Sequence, residues 1–287
     1  MTNIFENASS VVINNKEVQS IIITSNNAVI YQKEHDLQLT SNKNILSYYD
    51  NETATLTAIL TENGTPITGE TVTMKAYNST QTTLLDTLTV TDNQDGTYTA
   101  EYDSTGVGDI VILCECGLLQ ETYVIEDCVI YKTTPISITG TSTSDTVYSI
   151  GIDDIGYDLS NKDFDIEWVM NVTDKGEQFN IGAKSEWSVN PIKGNYRVHI
   201  GCSSGGYRSY GIRDTSSNHS TTGNFSTNTD HTCKISKSSS TFTYTVDDTQ
   251  LGTKTENWWS NYSSFSVYIV QWNKGTTTIS NLKIKPV

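Results

Sequence analysis

The chain has 287 residues, a formal net charge of -15 and a sequence pI near 4.5. That balance repels phosphate backbones and anionic lipid, so it argues against nucleic acid and membrane surfaces as partners. The length allows two domains with cores of ordinary size, no stretch has the length and apolarity of a membrane-spanning helix, and MTNIFENASS lacks the basic and apolar regions of a secretion signal, so a chain beginning here is expected not to be exported by that route.

Apolar and polar residues alternate throughout, and helical periodicity is sustained nowhere. With Thr, Ser, Asn, Tyr, Val and Ile dominant, this predicts an all-β fold in three regions. In residues 1–42, VVINNKEVQSIIITSNNAVIYQKE places the turn-like pairs Asn14-Asn15 and Asn26-Asn27 between short apolar strands. Strands this few do not make an independent core and are expected to pack on a neighbour or another chain. The pattern resembles the short N-terminal modules of tail-associated proteins of tailed viruses, which implies a docking or assembly role.

In residues 43–133, Ala54, Leu56, Ala58 and Leu60 share one strand face, as do Val72, Met74 and Ala76, and then Tyr98, Ala100 and Tyr102. Strands spaced this way with Gly and Asn turns predict a sandwich of about ninety residues. DNQDG departs from the calcium-loop pattern at both ends, with Thr91 and Tyr102 where acids belong, so Asp95-Gly96 reads as a hairpin turn. The string Asn63-Gly64-x-Pro66-Ile67-x-Gly69-x-x-Val72, followed by Asp95-Gly96-Thr97-Tyr98 and Tyr102, resembles bacterial immunoglobulin-like repeats of invasin and adhesin type. That resemblance implies a spacer with no catalytic site.

The five cysteines leave at least one unpaired within the chain. Cys114 and Cys116 share a face with Ile110 and Ile112 and read as buried free thiols. A metal site built on them and Cys128 lacks a fourth ligand. Cys202 and Cys233 lie in separate strand-like segments, and their pairing is left open.

In residues 134–287, after a short junction from Thr133, four stripes recur at period two. They are Phe164, Ile166, Trp168 and Met170; Tyr196, Val198 and Ile200; Phe242, Tyr244 and Val246; and Phe265, Val267 and Ile269. Antiparallel strands over this length predict a jelly roll. FDIEW, the run His231-Thr-Cys-Lys-Ile235, Thr241-Phe242, Val246-Asp247-Asp248, Leu251-Gly252 and the closing TTTISNLKIKPV resemble concanavalin A-like and laminin G-like domains. This resemblance implies a last strand returning beside the first and a structural His231. The fold hosts lectins, glycosidases and structural modules alike.

Asp163, Asp165 and Glu167 alternate along one strand, as paired carboxylates for glycoside hydrolysis would. One glycosidase branch of the resembling fold carries such acids, but with Glu first and far deeper in the domain. The plainer reading is a solvated strand face, and neither catalysis, a cofactor nor a metal is expected. His35, His199, His219 and His231 show no metal-ligand spacing.

Sugar recognition combines aromatic faces, which stack on C–H surfaces, with planar polar groups that satisfy hydroxyls. Two stretches have that character. One holds Tyr207, Arg208, Tyr210, Arg213, Asp214 and Asn218; the other holds Trp258, Trp259, Asn261 and Tyr262. In an extended chain Trp258 and Trp259 cannot both face inward, so one is expected to be exposed or both to cover the core rim.

The expected whole is a non-enzymatic virion-surface attachment protein, assembled in host cytoplasm. Residues 1–42 dock it to other virion proteins and the jelly roll contacts a host cell-surface glycan. A homotrimer is implied by resemblance to viral fibres. A segment of a cellular adhesin, a ligand-free decoration protein and a glycosidase are the alternatives.

Overall fold

The computed structural model describes residues 11–13, 16–18, 21–23, 29–31, 34–140, 146–174, 176–183, 196–202, 206–213, 218–271 and 274–287. The fold is all-β and forms two compact units, Met1–Asp127 and Cys128–Val287. Among the described residues no helix is long and apolar enough to cross a membrane.

The first unit contains β1 (Val11–Ile13), β2 (Lys16–Val18), β3 (Ile21–Ile23), β4 (Val29–Tyr31), β5 (Glu34–Ser41), β6 (Ile45–Ser47), β7 (Thr53–Glu62), β8 (Thr65–Pro66), β9 (Thr73–Asn78), β10 (Leu84–Leu88), β11 (Thr91–Asp92), β12 (Thr97–Asp103), β13 (Gly108–Cys116) and β14 (Leu119–Cys128). One sheet runs β1-β2-β5-β7-β12-β11, with β8 also on β7, and the other runs β10-β9-β13-β14-β6. β3 and β4 pair with each other as a two-stranded ribbon.

The predicted rows form the core of this unit: Ala54, Leu56 and Ala58 of β7, Met74 and Ala76 of β9, and Tyr98, Ala100 and Tyr102 of β12 are all buried. Cys114 and Cys116 are buried beside Ile110 and Ile112, as their shared face requires. The expected boundary at 42/43 is displaced, because β5 pairs with β7 from His35↔Glu62 to Ser41↔Leu56 and seats Leu37 in the core. The pairs Asn14-Asn15 and Asn26-Asn27 lie outside the described residues. At the DNQDG turn, Asp95 accepts hydrogen bonds from Thr97 N (2.9 Å) and Oγ1 (2.6 Å). Gly96 has φ +87°, and a Cβ there would lie 2.4 Å from Pro66 Cβ, so both backbone and space require glycine.

The second unit contains β15 (Ile130–Lys132), β16 (Ile136–Gly140), β17 (Thr146–Gly151), β18 (Phe164–Val172), β19 (Gly176–Ala183), β20 (Arg197–Cys202), β21 (Tyr207–Arg213), β22 (Asn218–Asn224), β23 (Asp230–Ser238), β24 (Thr241–Val246), β25 (Thr249–Thr255), β26 (Phe265–Gln271) and β27 (Gly275–Pro286). The β18 sheet runs β15-β27-β18-β23-β24-β25, with β16 also on β27; the β20 sheet runs β17-β26-β19-β20-β21-β22. The last strand thus lies beside β15, β16 and β18, as the closing sequence implied. β15 belongs here rather than to the preceding region, because Ile130 and Lys132 pair with Ile284 and Leu282. The apolar run continues from β14 without turn residues, so the sequence carries no mark of that change of partner.

The inner faces of the two sheets meet in stacked rings. Trp168 lies on Phe179 at 3.8 Å and 19°, and Trp259 on Phe265 at 4.2 Å and 16°. Cys202 and Cys233 are buried thiols on β20 and β23, in opposing sheets, and form no disulfide with each other. Packed sheets lie about 10 Å apart, beyond the Cα separation a disulfide tolerates. Burial pushes the Cys233 thiol far up, which keeps it protonated.

Candidate functional site

The register of the β20 sheet sorts its side chains into two rows. Phe179, Ile181, Val198, Ile200 and Ile212 face the β18 sheet. Asn180, Gly182, Arg197, His199, Ser209, Gly211, Ser266 and Tyr268 point the other way, aligned through Asn180↔His199, Asn180↔Tyr268, Gly182↔Arg197 and Gly201↔Ser209. In an ordinary sandwich this outer row is wet. Here Asn180, Arg197, His199, Ser209 and Ser266 are each no more than 3% exposed. β20 and β26 are buried at every position. Tyr268 and Val270, with Val147 against them, form a separate apolar cluster on the same outward side.

A stripe at period two accounts for one buried face of a strand, and here the other face is buried as well. The signal was present in β26, where FSVYIVQ places Tyr268 and Val270 opposite Phe265, Val267 and Ile269. A strand apolar on both faces is covered on both faces. In β20, RVHIGC reads as ordinary alternation, and nothing in its sequence separates a buried Arg and His from solvated ones. Gly182 has a steric role here: a Cβ would lie 2.8 Å from Arg197 Cβ, so glycine lets Arg197 lie across β19. Asn180 Oδ1 is buried with no hydrogen-bond partner among the described residues. Such a group costs about 1–3 kcal/mol until something satisfies it.

The predicted site residues fall in several places. Tyr207 opens β21 on the outward side and is 49% exposed, the one large aromatic in the first stretch open to solvent. Arg208 donates from Nη2 to Asp247 Oδ2 at 3.1 Å. Asp247 also meets His231 Nδ1 at 2.7 Å and accepts from Thr232 N, while His231 Nε2 lies 3.0 Å from Ser226 O. The Arg208–Asp247 pair therefore joins the two sheets, and His231 braces Asp247 from its own sheet. Tyr210 is corrected to an interior residue: it is 8% exposed, donates to Leu251 O at 2.9 Å and packs on Tyr244 at 5.3 Å. Arg213 ends β21 opposite Arg197 and Asn218 begins β22 opposite Ile212, with side chains outside the described set; Asp214 lies outside the described residues.

Trp258 and Trp259 are both interior, at 3% and 1% exposed. Of the two outcomes the sequence left open, both tryptophans cover the core, because the segment is not extended. Trp258 adopts an α-like φ of -113° and ψ of -19°, and a 3-10 turn follows over Trp259–Asn261. Successive side chains on a turn need not oppose each other as they do on a strand. Glu256 fixes the turn by accepting from the backbone N–H of both tryptophans, and Trp259 Nε1 donates to Leu159 O. Asn261 is exposed, and Tyr262 is half-buried against Tyr196 (5.3 Å) and Trp258 (6.2 Å).

The two predicted stretches therefore do not converge. Tyr196, with Tyr262 against it, precedes β20, and Tyr207 lies beyond the Cys202↔Arg208 pair at its other end. Six residues of strand separate these ends, roughly 20 Å. The outer row of β20 spans that interval.

The candidate acids lie on the opposite sheet. Asp165 and Glu167 alternate with buried Phe164, Ile166 and Trp168, and both accept from Lys234, at 2.6 and 2.9 Å. Lys283 stands 3.3 Å from Glu167. Burial pushes the Glu167 carboxyl up, but Lys234 and then Lys283 outweigh it and leave it below the ordinary range. Asp163 accepts from Ser239 N at 2.7 Å. All three carboxylates are thus engaged in strand-to-strand pairs, and the face is the solvated one the plainer reading expected.

No protein-family model matches the chain, and no curated protein matches it. Among solved structures it is similar to the VIP36 exoplasmic/lumenal domain in a calcium- and Man-bound form, with TM-score 0.39 and 11% identity over 53% of this chain and 83% of that one. It is similar to the carbohydrate-binding module CBM66 from Bacillus subtilis, with TM-score 0.30 and 13% identity over 69% and 91%. It is also similar to a protein described as a glycosyl hydrolase of Parabacteroides distasonis, with TM-score 0.35 and 9% identity over 55% and 90%. These likenesses are partial, and no function passes from them to this chain.

Proposed function

We propose that the chain is a non-catalytic, glycan-binding attachment protein whose second unit meets an oligosaccharide at the exposed aromatic face of β21. The observation that carries this reading is Tyr207, a large aromatic side chain 49% exposed at the start of that strand. Tyr207 lies at one end of β20 and the Tyr196–Tyr262 pair at the other. Aromatic faces open to solvent stack on the C–H faces of a sugar chain. A non-catalytic role is supported by the engagement of Asp165 and Glu167 with Lys234 on the other sheet.

Attachment to a virus particle is the setting that fits the sequence resemblances. In this reading the first unit is the immunoglobulin-like spacer, and its strand orders β5-β7-β12-β11 and β10-β9-β13-β14 support that. β1 ends its sheet and offers an edge for strand addition to other virion proteins or to copies of this chain in a homotrimer.

The test is co-sedimentation of the full chain with host-type cell walls and insoluble polysaccharides, alongside Tyr207→Ala. Retention that a soluble glycan competes away, and that the variant weakens about tenfold, supports the site. Absence of retention across a broad panel, or retention indifferent to the variant, overturns it. Detection of the chain on purified particles, with attachment blocked by antibody to it, tests the viral setting.

A further inference from the structure

A pocket of about 260 Å³ opens elsewhere in the second unit, where the loop before β18, the β23–β24 turn and the segment after β25 come together. Its walls include two charged side chains that the fold keeps almost out of solvent, Lys237 at 5% and Glu256 at 8% exposed. Buried charges persist only when held. Lys237 Nζ donates to Lys162 O at 2.9 Å and stands 3.6 Å from Asp163. Glu256 Oε2 accepts from the backbone of Trp258 and Trp259. Asp163 accepts from the backbone of Ser239. The wall is therefore fixed before any ligand arrives, and the exposed carboxamide of Asn257 and hydroxyl of Ser260 complete it beside Trp259.

The chemistry narrows the occupant. An anion meets the carboxylates of Asp163 and Glu256, and a cation meets the ammonium of Lys237. An apolar guest would strip water from hydroxyl, amide and charged groups with nothing in return. A neutral polyol supplies donors to the carboxylates and acceptors to the ammonium and carboxamides at once. The volume lies below the range of about 300–1,000 Å³ typical of drug-sized sites, so it suits one ring rather than a chain.

We infer that this pocket binds a single neutral sugar ring, independently of the exposed aromatic face of β21. The site is separate in sequence and in lining, and neither reading depends on the other. The experiment is titration of the full chain with neutral monosaccharides, following Trp fluorescence and saturation-transfer NMR, with glucosamine and glucuronate as charged counterparts. The expected result is millimolar binding of at least one neutral sugar, weaker binding of both charged ones, and at least a tenfold loss in Ser260→Phe, which fills the mouth from an exposed position. Asn257→Ala, also at an exposed position, is expected to weaken binding about three- to tenfold without a change in melting temperature. Tyr207→Ala leaves this binding unchanged, which separates the pocket from the β21 face. Absence of any signal up to about 50 mM sugar, or binding that Ser260→Phe leaves intact, overturns the inference.

Discussion

In the β18 sheet, Asp165 and Glu167 point away from the sandwich interior and meet Lys234 and Lys283 at a partly exposed surface. In the β20 sheet, Asn180, His199 and Ser209 also point away from that interior and are buried. Both strands alternate polar with apolar. The difference lies in what covers the outer row, a property of the tertiary fold that strand periodicity does not encode. Solvated ion pairs contribute little to stability, whereas buried polar groups must be satisfied. The first unit shows what satisfaction looks like: Asp127, fully buried, accepts from Tyr102 Oη, Ser104 Oγ and both the N–H and hydroxyl of Thr105. Asn180 Oδ1 has no such set among the described residues. That contrast marks the β20 row as a buried polar layer, and leaves the exposed Tyr207 on β21 as the surface a ligand can reach.

Substitutions grade the comparison. The largest effect is expected at the shared inner layer: Trp168→Ala, which removes the stack on Phe179, should cost about 3–5 kcal/mol in urea unfolding of the second unit. A loss below about 1 kcal/mol would mean the two sheets do not share a close-packed interior. Next is the outward row of the β20 sheet. Asn180→Asp should cost about 3 kcal/mol at neutral pH, because it places an unpaired charge where water does not reach. That burial raises the new carboxyl's folded-state pKa, so the cost should shrink as the pH falls and the group takes up its proton. Asn180→Leu should stay within about 1 kcal/mol of the native protein, since it removes the unsatisfied oxygen. Equal losses in the two variants would indicate a purely structural asparagine.

The outer row of the β18 sheet should respond less. Lys234→Ala is expected to cost about 1 kcal/mol or less, and less still at high salt. The lowered Glu167 carboxyl contributes stability that is present above its ordinary 4.5 and is lost as pH falls through its folded value. The gap between native and Lys234→Ala should therefore narrow in acid, and a constant gap would show that the pair is energetically idle. The smallest effect on stability is expected for Tyr207→Ala, within about 0.5 kcal/mol, although it weakens glycan retention tenfold.

The inner layer was legible in the sequence because an apolar row at period two has one physical outcome, and Phe164, Ile166, Phe242 and Val267 are all buried. The sandwich architecture was legible for the same reason, whereas the returning last strand was implied by the resemblance of the closing TTTISNLKIKPV. The candidate site was legible only in part. Tyr207 is open as expected, but Tyr210, Trp258 and Trp259 went inward. Aromatics near turns have two uses, and Glu256 holding two backbone amides decides for the interior here. The sequence does not show that β20 would be buried on both faces, since Arg197 and His199 look like solvated residues until the sheet is assembled.

The most direct test of the central claim is hydrogen–deuterium exchange of the full chain with and without an oligosaccharide that it retains. The account predicts ligand-dependent protection around Tyr207, in β21 and its neighbours β20 and β22, lost in Tyr207→Ala, with β23 and β18 unchanged. Protection confined to the first unit or to the β18 sheet would contradict it.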